Sequence, residues 1–432
     1  MEKELPKNWI ETNIEFVTTI LDNLRKPVSA DERSKRMGDV PYYGATGQAG
    51  WIDDFIFNEE LVLIGEDGAP FFDKLKNVAY IIKGKSWVNN HAHVLKGNEF
   101  LLNKFLLHFL NQFDYNNYVG GTTRLKLNQS SLKSIPFPLA PLAEQNRIVE
   151  KLDSLFALLE SIKTSMAKIP VLLKNFRQQV LTQAVTGKLT EEWRIGKELS
   201  EWNHFILLEV ITEKPRNGYS PKAVEYETAV KSLTLSATTS GKFNPLQIKY
   251  LDIQPPNINS HLWLKKDDIL IQRSNSLEYV GTAAIYDGSD YDFIYPDIMM
   301  KIRANNKILN EYLFYSLSSK TIKDYYKNNA SGTAGNMPKI NQEIVSNTPI
   351  NLPSMLEQQE IVSRVESLFS KADAIEEKYK NLKSKIETLP QTILYKAFKG
   401  ELTEQLESDG DAKVLLEEIE ALKSGGKIKI KK

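Results

Sequence analysis

The stretch from Leu142 to Thr190 occurs twice in this chain, and any fold must accommodate both copies. Adding 213 carries Glu144 onto Glu357, Gln145 onto Gln358, Ile148 onto Ile361, Ser154 onto Ser367, Phe156 onto Phe369, Gly187 onto Gly400 and Thr190 onto Thr403 without a gap. Within the first copy apolar residues recur at alternating steps of four and three: Ile148, Leu152, Leu155, Leu159, Ile162, Met166, then Ile169, Leu173, Phe176 and Val180. The second copy keeps those positions apolar as Ile361, Val365, Leu368, Ala372, Ile375, Tyr379, Leu382, Ile386, Leu389 and Ile393. This is the spacing of a coiled-coil seam. Such a stripe is also the ordinary core face of a bundle helix. Two narrow stripes in one chain each need a partner, and the nearest partner is the other copy. With a large domain between them, the copies are expected to pair antiparallel as an intramolecular coiled coil with a pseudo-twofold axis.

At 432 residues the chain is too long for one ordinary core, and three or four domains are expected. It contains no cysteine, which excludes disulfide scaffolds, thiolate metal sites and cysteine nucleophiles, and which fits a reducing cytoplasm. The first residues carry no apolar signal core, and no run is long enough for a membrane span. Basic and acidic residues balance at 55 each, so polyanion binding, if present, must rest on local basic faces rather than net charge.

The halves flanking the repeats are also related. Leu63-Ile64 matches Leu270-Ile271 and Leu102-Asn103 matches Leu309-Asn310 at an offset of 207, and Trp9 matches Trp202 at 193. The growing offset places insertions in loops of the second half, so cores repeat while loops diverge. A helix is expected from Leu101 to Phe113, with Asn103 as its cap. Pro41 to Trp51 reads as glycine-punctuated turn chemistry and not as a dinucleotide cradle, because Gly44, Gly47 and Gly50 miss the G-x-G-x-x-G spacing. The polar segments 118–133 and 330–341 precede each coil and share Lys126-Leu127-Asn128 and Lys339-Ile340-Asn341 at 213. Such loops are usually solvated connections, but their donors and cations also suit phosphate contacts. Pro170 and Pro390 are expected to kink or split the helices.

No catalytic constellation is found. Gln254-Pro255-Pro256-Asn257 lacks both ends of an adenine methyltransferase motif, and Pro296-Asp297 is followed by no Glu-x-Lys. His91-Ala92-His93 lacks a clear third ligand, so no metal is expected, and there is no phosphate-binding Walker loop.

The helical repeats opening Pro141-Leu142-Ala143-Glu144-Gln145 and Pro353-Ser354-Met355-Leu356-Glu357-Gln358, each closing on Gly-(Lys/Glu)-Leu-Thr-Glu, resemble the conserved regions of type I restriction-modification specificity subunits. Tyr42 to Gly50 and Leu63 to Gly68 in the first half, and Ile269 to Ser276, Tyr295-Pro296-Asp297 and Ser331-Gly332-Thr333 in the second, are similar to that family's target recognition domains. The resemblance implies an α+β chain: a first target recognition domain over 1–141, a central conserved helical region over 142–193, a second target recognition domain over 194–354, a distal helical region over 355–407 and a flexible basic tail over 408–432 with no role assigned. It implies a non-catalytic reader of double-stranded DNA; with no cysteine and no signal core a cytoplasmic location is expected, and no cofactor is expected in this chain. Each domain would read one half of an interrupted sequence. The helices would dock two methyltransferase subunits using S-adenosylmethionine, joined by restriction translocase subunits using ATP and magnesium.

Base reading needs donors and acceptors on groove-facing loops. The candidates are Tyr42, Tyr43, Gln48, Lys74, Lys76, Asn89, Asn90, Arg124 and Lys126 in the first domain. In the second they are Arg273, Ser274, Asn275, Ser331, Thr333, Asn336 and Lys339. For any one of them, a solvated loop or turn role is as good a reading. Ile148 to Val180 spans about 50 Å of helix, against about 34–36 Å for one turn of duplex, so the coil could act as a ruler. A purely structural adaptor remains the alternative, separable because only a DNA reader loses duplex affinity log-linearly as salt rises.

Overall fold

The computed structural model describes residues 5–332 and 337–426. It divides into two compact units, one formed by Met1–Ala167 with Lys380–Lys432 and the other by Lys168–Tyr379. Each unit therefore contains part of both helical repeats.

In the first unit, Leu61–Gly65 is a wholly buried, largely aliphatic strand, as a continuous apolar run predicts. It pairs antiparallel with Ala79–Ile82 and Ala92–Lys96, and Thr19–Ile20 completes a four-stranded sheet. A second sheet joins Gly47–Ile52, Val40–Gly44, Lys85–Val88 and Phe57–Asn58. The glycine-punctuated stretch is thus the hairpin of the second sheet, and Gly47 takes φ 133° at its turn, where a side chain would be strained. The helix Asn103–Gln112 turns Phe105, Leu106, Phe109 and Leu110 into the core. Its start differs from expectation: Leu102 occupies the cap, while the Asn103 side chain accepts a hydrogen bond from the Gly97 amide.

The second unit repeats this plan. Ile269–Gln272 is again a fully buried strand, flanked by Met299–Ile302 and Ala283–Ile285. Asn310–Ser318 replaces Asn103–Gln112. The strand pair Ile10–Asn13 with Pro136–Leu139 recurs in the same register as Asn203–Ile206 with Pro349–Leu352. The sequence offsets thus mark real structural equivalence.

The repeats pair antiparallel. In the first unit Ile148, Val149 and Leu152 of helix Leu142–Met166 share a core with Leu394, Ala397 and Phe398 at the far end of the second repeat. In the second unit Val180, Leu181 and Ala184 of helix Ile169–Val185 pack with Ile361 and Val365, while Arg177 binds Asp373 and Glu376 further back along the partner. Along the seam, Ile148, Leu152, Leu159, Ile361, Val365 and Ala372 are buried, and Leu155, Met166, Leu368 and Tyr379 are half-buried. Ile162 and Ile375 are not closed off: they remain 37% and 50% exposed.

The two prolines act differently. The first repeat is split into Leu142–Met166 and Ile169–Val185, with Pro170 in the first turn of the second piece, where its missing N–H costs nothing. The second repeat runs unbroken over 43 residues, Met355–Ala397, through Pro390. The stretch that follows Pro390 is held in the first unit: Gln391 donates to the Asn111 carbonyl at 3.1 Å and Leu394 is buried.

The flexible tail expected over 408–432 is corrected. Helix Ala412–Gly426 follows a 3-10 turn, and its Ala412 and Ile419 are buried in the first unit's core. Its apolar face supplies enough burial to order a segment whose charge suggested solvation. Residues 427–432 lie outside the described residues.

Candidate nucleic-acid interface

One frame of hydrogen bonds holds each unit's globular part to its coil. Trp9 Nε1 donates to Glu144 at 2.8 Å, and Trp202 Nε1 donates to Glu357 at 3.0 Å. Both carboxylates are fully buried. Each receives a threonine hydroxyl from the end of the other repeat, Thr403 on Glu144 and Thr190 on Glu357. Gln405 completes the first site at 3.1 Å, and Arg194 completes the second at 2.7 Å. Beside them, Gln145 accepts from the Leu102 amide and donates to the carbonyls of Phe100 and Ala140. Gln358 makes the equivalent set with Leu309, Lys307 and Pro353. Buried polar groups so fully paired fix geometry.

On this frame the polar segment before each coil is fastened to the loop that follows the central buried strand. In the first unit, Asp67 bridges Lys126, the Leu127 amide donates to the Glu66 carbonyl, and the Gly68 amide donates to that of Leu125. In the second, Ser274 bridges Lys339, the Ile340 amide donates to the Arg273 carbonyl, and the Asn275 amide donates to that of Pro338. Asn128 and Asn341 then cap the short helices that follow, each accepting a backbone amide at 2.8 Å. The shared Lys-x-Asn string thus places one lysine at the same point of both units.

The first unit gathers Tyr43, Asn89, Asn90, Arg124 and Lys126 around this point. The Asn89 amide donates to the Tyr43 carbonyl, and the Glu66 amide donates to that of His91. Its charges are closed on one another: Glu66 binds Arg25 at 2.8 Å and Lys126 at 3.2 Å, and Asp67 binds Arg124 and His91 at 2.8 Å each. Tyr42 is buried, with Arg33 stacked 4.5 Å over its ring, so it supports the hairpin and offers nothing to a groove. Gln48 is exposed at the hairpin tip and bonds the Gly50 carbonyl. Lys74 and Lys76 stand apart from this cluster, lining a 470 Å³ cavity with Phe72, Tyr115, Gln391 and Tyr395.

The second unit brings Arg273, Ser274, Asn275, Ser331 and Lys339 together; Ser331 and Ser274 both bridge Lys339. Thr333 and Asn336 lie outside the described residues. Ser274 is buried, and Asn275 is bound to Gln272 at 2.7 Å.

The partners Arg25, Glu66 and Asp67 are not among the base-reading candidates, although Glu66 and Asp67 lie in the family-like stretch Leu63 to Gly68 and Glu66 sits 207 before Arg273. His91 and His93 form no metal pair. The His93 ring is buried between Asp22 at 2.6 Å and the Leu127 carbonyl, whereas His91 turns to Asp67. Burial alone would raise the Asp22 carboxyl, but the His93 ring and the Val94 amide hold it below its ordinary value. Among the described residues no three His, Asp or Glu side chains converge as a metal site, and no helix is long and apolar enough to cross a membrane.

The architecture is that of a paired surface reader: two copies of one α+β module, each presenting a polar loop cluster and each fastened to an antiparallel helix pair. The chain belongs to the type I restriction modification DNA specificity domain family, whose model matches residues 6–171 and 202–384. It is 31% identical over 459 residues to the type I restriction enzyme EcoKI specificity subunit of Escherichia coli K12, covering 98% of each chain. To the StySPI specificity subunit of Salmonella potsdam it is 33% identical over 462 residues, again with 98% of each covered. The fold matches the crystal structure of the HsdS subunit from Thermoanaerobacter tengcongensis with a TM-score of 0.59 at 18% identity, over 93% of this chain and 99% of that one. A structure described as showing complex assembly and conformational transition of the type I R-M system matches at 0.63 and 17% identity, over 92% and 100%. Membership makes this a DNA-specificity subunit of a restriction-modification system and not a catalytic one.

Proposed function

We propose that each unit reads one half of an interrupted DNA sequence through its loop cluster, and that the helix pairs set the spacing and dock two methyltransferase subunits. The observation that carries this reading is the repeated fastening of Lys126 and Lys339 to the loop after the central strand, with different side chains around each. A common frame with divergent loops suits two readers of different sequences. The partner methyltransferases would use S-adenosylmethionine to methylate adenine, and restriction translocase subunits would bring ATP and magnesium, all in the cytoplasm. The long apolar stripes left partly open, Ile162 in one repeat and Ile375 in the other, are consistent with helices that take further subunits.

The test is co-expression with its methyltransferase partner in a host lacking other adenine methylation, followed by mapping of methylated adenines across the genome. A two-part motif with a fixed unspecified spacer is expected; a continuous motif, or none, contradicts the reading. Inserting four residues in both repeats, a stutter in the coil, is expected to lengthen the spacer, whereas an unchanged spacer removes the ruler.

A further inference from the structure

The second unit's loop cluster contains an arginine with unspent donors. Arg177, Arg194, Arg216, Arg303 and Arg364 each bind a carboxylate. Among the described residues Arg273 is the one arginine of this unit that does not. Among the described residues its buried Nε has no hydrogen-bond partner, and its guanidinium makes one long bond, 3.4 Å, to the Asp297 carbonyl. An unpartnered buried donor is costly, and a guanidinium so weakly held can turn outward without breaking a charge-assisted bond.

The backbone beneath it is fixed from both sides. The Arg273 amide donates to the Ile298 carbonyl at 2.9 Å, and its own carbonyl accepts from Ile340 at 2.9 Å. A reading residue needs that rigid footing. Its neighbours are already committed, Ser274 by burial and Asn275 to Gln272 and the Ser276 amide. Lys339, cross-bridged to Ser274, is exposed and has no carboxylate partner among the described residues. At the matching positions of the first unit, Glu66 and Lys126 are closed on each other.

We propose that Arg273 reads a guanine in the half-site of the second unit, forking onto its O6 and N7, with Lys339 on a neighbouring phosphate. The planar fork of arginine fits those two major-groove acceptors, whereas a lysine acts as a point charge suited to the backbone. The first unit makes no such reading at its equivalent place. This inference rests on the proposal above that each unit reads a half-site.

The experiment uses the full chain with its methyltransferase partner and a duplex carrying the mapped target. Each guanine in turn is replaced by 7-deazaguanine, which lacks N7. One replacement is expected to weaken wild-type binding roughly ten-fold, and Arg273→Ala is expected to abolish that sensitivity and relax the methylated motif at the same position. Arg273→Lys keeps the charge but not the fork, so it should lose the sensitivity while retaining the salt slope. If Arg273→Ala instead weakens all sequences alike and lowers the salt slope by about one, Arg273 contacts phosphate and the proposal is overturned. Retained 7-deazaguanine sensitivity in a variant that still binds overturns it as well. Wild type without any two-part preference overturns the half-site reading itself, a different failure.

Discussion

The two units agree in what holds them and differ in what they present. Trp9–Glu144 and Trp202–Glu357, Gln145 and Gln358, and the caps Asn128 and Asn341 are the same contacts made twice. At the surface the first unit seals Glu66 and Asp67 with Arg25, Arg124, Lys126 and His91, whereas among the described residues the second gives Arg273 and Lys339 no carboxylate. The buried frame therefore sets position, and on the proposed reading specificity varies in the loops that the frame holds still.

The frame itself is matched but not equal. Glu357→Ala strands Thr190, Trp202 and a partly exposed Arg194 that keeps its bond to the Gly187 carbonyl, and is expected to cost about 3 kcal/mol in urea denaturation. Glu144→Ala strands only neutral donors, Trp9, Thr403 and Gln405, and should cost about 1–3 kcal/mol. Equal losses would show that the Arg194 ion pair adds nothing. The seam offers a second contrast. Leu159→Asp places a charge at a position only 6% exposed and should cost several kcal/mol. Ile375→Asp, expected from its heptad place to be as damaging, faces solvent and should change stability by no more than about 0.5 kcal/mol.

Acid separates the units as well. His108 meets Phe156 in a tilted contact at 5.6 Å, and the equivalent pair is Tyr315 edge-on to Phe369 at 6.0 Å. Burial pushes His108 down to about 4, although Asp153 opposes the shift and Lys104 adds to it. The unfolded chain therefore binds a proton that the folded chain does not between about 4 and 6.5. Stability from this site is full above 6.5 and is lost as pH falls through that window, on the order of 3 kcal/mol at the bottom. His108→Phe should flatten that part of the stability curve. Tyr315, pushed up to about 12 by burial, gives the second unit no counterpart in this range. The smallest contrast is electrostatic. Lys339→Ala should lower the slope of log affinity against log salt by about one, and Lys126→Ala by less, because Lys126 already neutralises Glu66.

Much of this was legible in the residues because duplication makes a sequence annotate itself. Offsets of 193, 207 and 213 predict the matched tryptophans, the matched central strands and the equivalent loops, and the structure places each on its match. Periodicity gave the helix pairs but not how far the seam closes, since Ile162 and Ile375 share a heptad place with buried neighbours yet stay 37% and 50% exposed. The C-terminal helix was read as a tail because its charge masked Ala412 and Ile419, two apolar anchors whose partners are distant in sequence. Within the site, residue type alone could not separate Tyr42, a buried support, from Arg273, a donor without a partner. Only hydrogen-bond accounting in three dimensions distinguishes them.

The central proposal is that the two units read independently, each on its own copy of the same buried frame. Replacing residues 203–352 with the equivalent module of another family member, and mapping methylated adenines again, tests it most directly. One half of the motif should change while the other half and the spacer stay as they were. If both halves change together, or neither does, the units do not read separately.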